Sequence, residues 1–317
     1  MTSSKPGNFI SRLFHHKKKS QEKVPIVSAT ESAETTPVET RSAAAKPILY
    51  IFSASVWASA PSLALLELNY PSGVVEEKVI NLLEGENFTP GFIEINRNAT
   101  LPTLVTTDKT YVDTAGSVEW IVLNAPTPGT RSAHQDVIVA VHRDNIDPNF
   151  SLLSARTQEE LDSKRSDIPG QFVRQRQAKL EELAPKSPED LKTWYKEKLG
   201  FNGFLTSVYA EGASSDVTSG WFEKSKQHWE NVKEFVASEL PAFLPESGFI
   251  DGVVPGEADF HVAAWLARTA GVPGAKTDDV SPLGEVLGLT LDPKVIAYFD
   301  AWKGRDSWKK VYAGGLH

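Results

Sequence analysis

The sequence predicts an α/β domain followed by an all-helical one. Three observations carry this. Short β-rich runs with turn signals are confined to residues 47–126. Pro126-Thr127-Pro128-Gly129 then forms a linker, and beyond residue 130 apolar residues recur at three- and four-residue spacing. The expected boundaries are a disordered basic tail at 1–46, an α/β domain at 47–126 and a helical domain at 132–317.

Residues 1–46 are rich in Ser, Thr, Ala, Glu and Lys and lack a sustained hydrophobic period. Eight basic and four acidic side chains give this segment +4, so the remainder carries −12 of the net −8. Asn8–Phe14 followed by His15-His16-Lys17-Lys18-Lys19 is basic and weakly amphipathic, which reads as a solubilising arm or a membrane-surface or organelle-targeting signal. Without an apolar h-region a secretory signal is not expected, and the default location is the cytoplasm.

Order is expected from Pro47. Ile48–Phe52 is a buried strand. Pro61–Leu68 is helical and stopped by Asn69-Tyr70-Pro71; with Pro61 tolerated only in a first turn, this helix is expected to begin near Trp57–Ser59. Val74–Ile80 is a second strand, making a right-handed βαβ unit. After a loop, Thr103–Thr106 and Thr110–Val112 flank Thr107-Asp108-Lys109 as a hairpin, and a helix over 114–124 closes the domain. Later helices are expected near 133–144, 157–165, 170–183, 188–199, 215–240, 257–270 and 293–311.

Composition narrows the chemistry. The 317 residues contain no cysteine, so disulfides, thiolate metal sites and a protein thiol nucleophile are excluded, and any reacting thiol belongs to a ligand. The acidic body argues against nucleic acid as a partner. No run approaches the roughly 20 apolar residues of a membrane-spanning helix. No Gly-x-Ser-x-Gly, Walker or Gly-x-Gly-x-x-Gly motif occurs, and the seven histidines have no metal-binding spacing, so neither metal nor cofactor is expected. His261 reads as a hydrogen-bonded core residue, and Trp221-Phe222 with Trp229 as core.

Three segments of the α/β half suit a γ-glutamyl peptide. Ser53-Ala54-Ser55-Val56-Trp57 is a strand-to-helix turn, where a hydroxyl and a helix N-terminus can stabilise a thiolate; Ser there is equally readable as an N-cap. Leu101-Pro102 precedes a strand, and a cis bond there would turn the Leu101 N–H and C=O outward to pair with an extended peptide. Asp113-Thr114 at a helix start offers a carboxylate for an ammonium, and N–H groups plus a hydroxyl for a carboxylate, or is a simple cap.

The order of these segments resembles the glutathione transferase family over about 80 residues, and Ser-Val-Trp-Ala resembles the Ser-Pro-Trp-Ala turn of some fungal and bacterial serine-type members. Pro255-Gly256-Glu257-Ala258-Asp259 is similar to the start of the family's buried core helix, with Gly256 where a Ser or Thr cap is usual, and 295–312 is similar to its closing helices. The stretch 142–200, longer than the usual connection, is similar to the extended loop of ganglioside-induced differentiation-associated relatives. The resemblance implies a thioredoxin-like N-terminal domain beside an all-α domain. It implies a cytosolic, dimeric, detoxification-type transferase that joins glutathione to a small hydrophobic electrophile. Carried over, the thiolate-stabilising role falls on Ser55, glutathione binding on Leu101, Pro102, Asp113 and Thr114, and the electrophile pocket on Trp57. Asn87 and Arg97 lie in the loop that would meet the glycyl carboxylate. Ser59-Ala60 and Gly116-Ser117 depart from the family pattern. The rival expectation is a transferase-fold ligand-binding or scaffold protein without catalysis.

Overall fold

The computed structural model describes residues 46–127, 129 and 131–317. The basic tail up to Ala45, and Pro128 of the expected linker, lie outside them. The α/β half contains β1 (Ile48–Ile51), α1 (Val56–Glu67), β2 (Glu76–Val79), α2 (Pro90–Ile95), β3 (Thr103–Val105), β4 (Thr110–Tyr111) and α3 (Thr114–Leu123). Its sheet has the order β2-β1-β3-β4, with β1 parallel to β2 and antiparallel to β3, and β3 antiparallel to β4. This is the thioredoxin-like βαβ–ββα arrangement that the sequence predicts.

The helices that follow are α4 (Gln135–Val141), α5 (Pro148–Leu153), α6 (Gln158–Ser166), α7 (Ile168–Leu183), α8 (Lys192–Tyr209), α9 (Ser215–Glu234), α10 (Leu240–Phe243), α11 (Glu257–Gly271), α12 (Ser281–Leu287), α13 (Pro293–Lys303) and α14 (Asp306–Val311). A π turn over Phe235–Glu239 joins α9 to α10. The architecture is glutathione-transferase-like, a small mixed sheet beside a helical half. Among the described residues no helix is long and apolar enough to cross a membrane.

Helix α1 is buried along nine of its twelve residues because it packs against α3 on one side and α11 on the other. A helix covered on several sides has no polar face to keep. It starts earlier than expected, at Val56, which leaves Pro61 as its sixth residue. The Trp57 carbonyl therefore lacks its helical N–H partner, a cost offset by burial of Val56 and Trp57.

Helix α11 is the central strut: Glu257 to Ala270 are all buried. Gly256 provides no capping side chain, and a Cβ there would lie 2.5 Å from Asp251 Cβ. Asp251 fills the role instead, its Oδ2 accepting from Ala258 N–H at 2.9 Å. Asp259 accepts from the N–H groups of Ile250, Asp251 and Gly256 and from the Tyr298 hydroxyl, pinning the preceding loop to α11 and α13. Burial pushes its carboxyl up to about 6, against the pull of the three N–H groups.

Ion pairs join the halves, among them Arg97–Asp190 and Arg131–Glu119. Glu67 at the end of α1 accepts from Arg305 and from the Ser307 hydroxyl. Buried Glu257 accepts from Arg131 Nε at 2.8 Å and from Ser132 N–H at 2.8 Å. Trp221 and Trp229 are buried in the helical half, as expected, with the Trp229 indole N–H donating to Ser154 Oγ at 3.0 Å.

Candidate functional site

The end of β1 opens into the turn Phe52–Ser55, and helix α1 begins directly after it. Ser55 occupies the N-cap position in extended geometry, yet its hydroxyl makes no capping bond. Its backbone does the structural work: its carbonyl accepts from Ala58 and Ser59 N–H, and its own N–H donates to Phe52 C=O at 2.9 Å. The hydroxyl is half-buried and has no partner among the described residues. It faces a cavity of about 480 Å³ between the α/β half and helices α4, α5, α7, α8 and α11, a volume ordinary for a small-molecule site. Ser53, the other hydroxyl of the turn, is exposed and lines a separate cavity near Ser59 and His317.

The other expected residues cluster on the same cavity, with one difference. Leu101, Asp113, Thr114 and Trp57 all line it. Pro102 is buried behind Leu101 and is not part of the lining; the Leu101–Pro102 peptide is cis. Asp113 is the exposed N-cap of α3, its Oδ1 accepting from Gly116 N–H at 2.8 Å while Oδ2 takes no hydrogen bond among the described residues. Thr114 follows as the first helical residue, buried, its hydroxyl likewise unpaired among the described residues. The N-terminus of α3 thus offers one free carboxylate oxygen beside a free hydroxyl. Gly116 has a local cause: a Cβ would lie 2.9 Å from the Tyr111 ring.

Of the two loop residues named for the glycyl end, only Asn87 reaches the cavity, and one of its amide N–H groups is committed elsewhere. Arg97 is exposed, pairs with Asp190 at 3.4 Å and does not line the cavity. Asn87 lines it but is buried, and its amide NH₂ donates to Ala99 C=O at 2.7 Å.

The helical half supplies the opposite wall. Trp57 stacks on His142 with ring centroids 3.9 Å apart. Behind it His142 Nε2 meets His261 Nδ1 at 2.9 Å, so His261 is the hydrogen-bonded core residue the sequence predicts. Burial lowers the His261 imidazole to about 3, with the Arg131 charge adding to the effect. Leu152, Leu153, Ile168 and Phe172 make that wall apolar.

Three cations line the cavity that sequence reasoning missed: Arg176 on α7, Lys198 on α8 and Arg268 on α11. Arg268 is buried and donates to Ala54 C=O at 2.6 Å, tying α11 to the Ser55 turn. Burial lowers its guanidinium to about 10. Arg176 lies over the rings of Phe88 and Phe172, at 4.4 and 4.7 Å. Burial lowers it also to about 10. Lys198 lies 5.3 Å from the Trp194 ring and is held down to about 8 by burial and then by the Arg176 charge. Among the described residues the only acid in the lining is Asp113. Among the described residues no group of His, Cys, Asp and Glu is arranged to hold a metal ion.

No family model matches the sequence, and no curated protein matches it. In fold the chain is similar to several solved structures. A bacterial maleylpyruvate isomerase, described as a zeta-class glutathione S-transferase, is 17% identical, with 83% of this chain and 95% of that one covered and a TM-score of 0.42. Human glutathione transferase theta-2 is 14% identical, with coverages of 84% and 86% and a TM-score of 0.48. A beta-etherase from Sphingobium sp. is 14% identical, with coverages of 85% and 100% and a TM-score of 0.49.

Proposed function

We propose that this chain binds glutathione in the cavity beside Ser55 and joins it through its sulfur to a small apolar electrophile. The observation that carries the reading is the convergence of Ser55, Leu101, Asp113 and Thr114 on one cavity, with both hydroxyls and one carboxylate oxygen uncommitted. A polar group at a helix N-terminus that does not cap its helix is free for a ligand.

In this reading the γ-glutamyl ammonium pairs with Asp113 Oδ2, and the γ-glutamyl carboxylate meets the Thr114 hydroxyl and the first N–H groups of α3. The cysteinyl backbone runs along Leu101. The sulfur then lies at the start of α1, where the helix dipole and the Ser55 hydroxyl favour the thiolate. A free thiol near pKa ~8.5 is only a few per cent ionised at pH 7, so that stabilisation raises the reactive fraction directly. The thiol proton passes to solvent. The sulfur lone pair forms the bond to the electrophilic carbon, and a leaving group, where there is one, departs with its bonding electrons.

The electrophile is assigned to the apolar wall of Trp57, Leu152, Leu153 and Phe172, and the protein's part in its reaction is orientation. The test is a conjugation assay with glutathione and a neutral aryl halide. Turnover above the uncatalysed rate that saturates in both substrates supports transfer. Saturable glutathione binding without turnover would reduce the function to binding, and no binding would remove it.

A further inference from the structure

The cavity carries more positive charge than the reading above uses. Arg268 is committed to the Ala54 carbonyl. Arg176 and Lys198 have no such commitment: among the described residues neither donates a hydrogen bond or joins an ion pair. Arg176 is nonetheless held in place, because its guanidinium carbon lies over two aromatic rings, Phe88 from the β2–β3 connection and Phe172 one turn back on α7. Cation–π contact of this kind holds the group while leaving its N–H donors open. No Arg176 nitrogen is sealed from solvent without a partner, so the open edge reaches the cavity.

Lys198 comes from the neighbouring antiparallel helix α8, its ammonium 5.3 Å from the centre of the Trp194 ring. Two like charges brought together under partial burial repel and lose hydration. The fold offsets that cost only in part: Glu197, the acid next in sequence to Lys198, favours its charge but is exposed, off the cavity lining and in no ion pair with it. An arrangement that is unfavourable empty becomes favourable when an oxyanion enters, since guanidinium and ammonium together offer a fork and a point charge.

We propose that Arg176 and Lys198 form an anion subsite that receives a carboxylate of the cavity's ligand. Part of this rests on the glutathione reading, because two carboxylates are chemically equivalent candidates. One is the glycyl carboxylate of glutathione, for which the loop offers no charged donor, since Arg97 pairs with Asp190 off the cavity lining. The other is an acidic group on the electrophile. Either way the subsite is supplied by helices of the long 142–200 stretch.

The experiment uses the full chain and the double variant Arg176→Gln/Lys198→Gln, with Arg176→Lys as a charge-retaining control and circular dichroism to verify folding. Glutathione and its glycyl monoethyl ester are titrated calorimetrically. Turnover is compared for a neutral aryl chloride and its benzoate analogue. If the glycyl carboxylate is bound, the double variant loses about 10- to 100-fold in glutathione affinity while ester affinity stays level. If the electrophile is acidic, glutathione affinity stays level and kcat/KM for the benzoate falls by the same factor, with the neutral substrate unaffected.

The subsite is overturned if every ligand stays within twofold of wild type, or if neutral and charged ligands fall together. If the wild type binds neither glutathione nor its ester, the glutathione reading fails by itself. The subsite is then judged with anilinonaphthalene sulfonate against an uncharged apolar dye. Loss of the sulfonate alone in the double variant upholds it, and equal binding by both proteins removes it.

Discussion

Replacing Ser55 by alanine separates two roles that a serine at this position can have. Were it a working N-cap, the change would cost about 1 kcal/mol of stability. Here the hydroxyl makes no capping bond, and the bonds that start α1 come from the backbone carbonyl, which alanine keeps. The unfolding free energy of Ser55→Ala should therefore stay within about 0.5 kcal/mol of wild type. Its chemistry should not. One donor to a developing or resident anion is worth about 2.7–4 kcal/mol, or 10²–10³ in rate. If that energy acts on the resting thiolate, 1.36 kcal/mol per unit makes it about two to three units in the pKa of the bound thiol. The defect then has a pH signature. At pH 6.5 the variant is short of thiolate and slow. As pH rises past the shifted pKa it recovers most of its rate, helped by the greater nucleophilicity of a more basic thiolate. The assay is kcat/KM for conjugation from pH 6 to 9.5, with urea unfolding at pH 7 in parallel. An unchanged profile, or a stability loss of 1 kcal/mol or more with intact turnover, would refute the reasoning and return Ser55 to the status of a cap.

Three further outcomes are expected. Asp113→Asn keeps the oxygen that accepts from Gly116 N–H but removes the charge, so the fold is retained while glutathione affinity falls about tenfold by calorimetry. Asp259→Ala strands three backbone N–H groups and the Tyr298 hydroxyl around a buried site, and should cost about 3–5 kcal/mol in urea unfolding. Stability should also fall on mild acidification. His228 and His261 are buried and lowered to about 3, so the stability each contributes is present above the unfolded value near 6.5 and is lost as pH falls from there toward 3. Between pH 7 and 5 this is about 2 kcal/mol per histidine. His317, lowered to about 4, adds a similar loss, while Asp259, raised to about 6, works in the opposite sense and returns about 1.4 kcal/mol over the same interval, leaving a net loss of about 4 kcal/mol. Urea midpoints at the two pH values check it, and a His228→Gln/His261→Gln variant should flatten the slope.

Much of the fold was legible because its signals are local. The apolar run of β1, the Thr107-Asp108-Lys109 hairpin and the apolar sequence of α11 each lie within fifteen residues. The elements missed were short ones whose start signals went unread. α2 and α5 begin with Thr89-Pro90 and Asp147-Pro148, a capping residue ahead of proline at the first helical position, and α12 closes on Gly288 in the left-handed conformation. The expected helix over 293–311 breaks into α13 and α14 at Gly304.

The site divided along the same line. Ser55, Leu101 and Asp113-Thr114 were readable because each is set by a strand-to-helix or strand-start junction, and junctions are written in sequence. Arg176 and Lys198 were not. On α7 and α8 they look like any solvated helical charges, and only the packing of those helices over Phe88 turns them to a cavity. Gly256 was readable as a departure, but not its remedy, because Asp251 reaches the cap position by a loop reversal that no periodicity encodes.

The most direct test of the account is the pKa of glutathione's thiol when bound to the wild-type chain, read from the ultraviolet absorbance of the thiolate as pH is varied. The account predicts saturable binding and a value at least one unit below the ~8.5 of a free thiol. Absence of binding, or a bound thiol that titrates as it does in water, would contradict it.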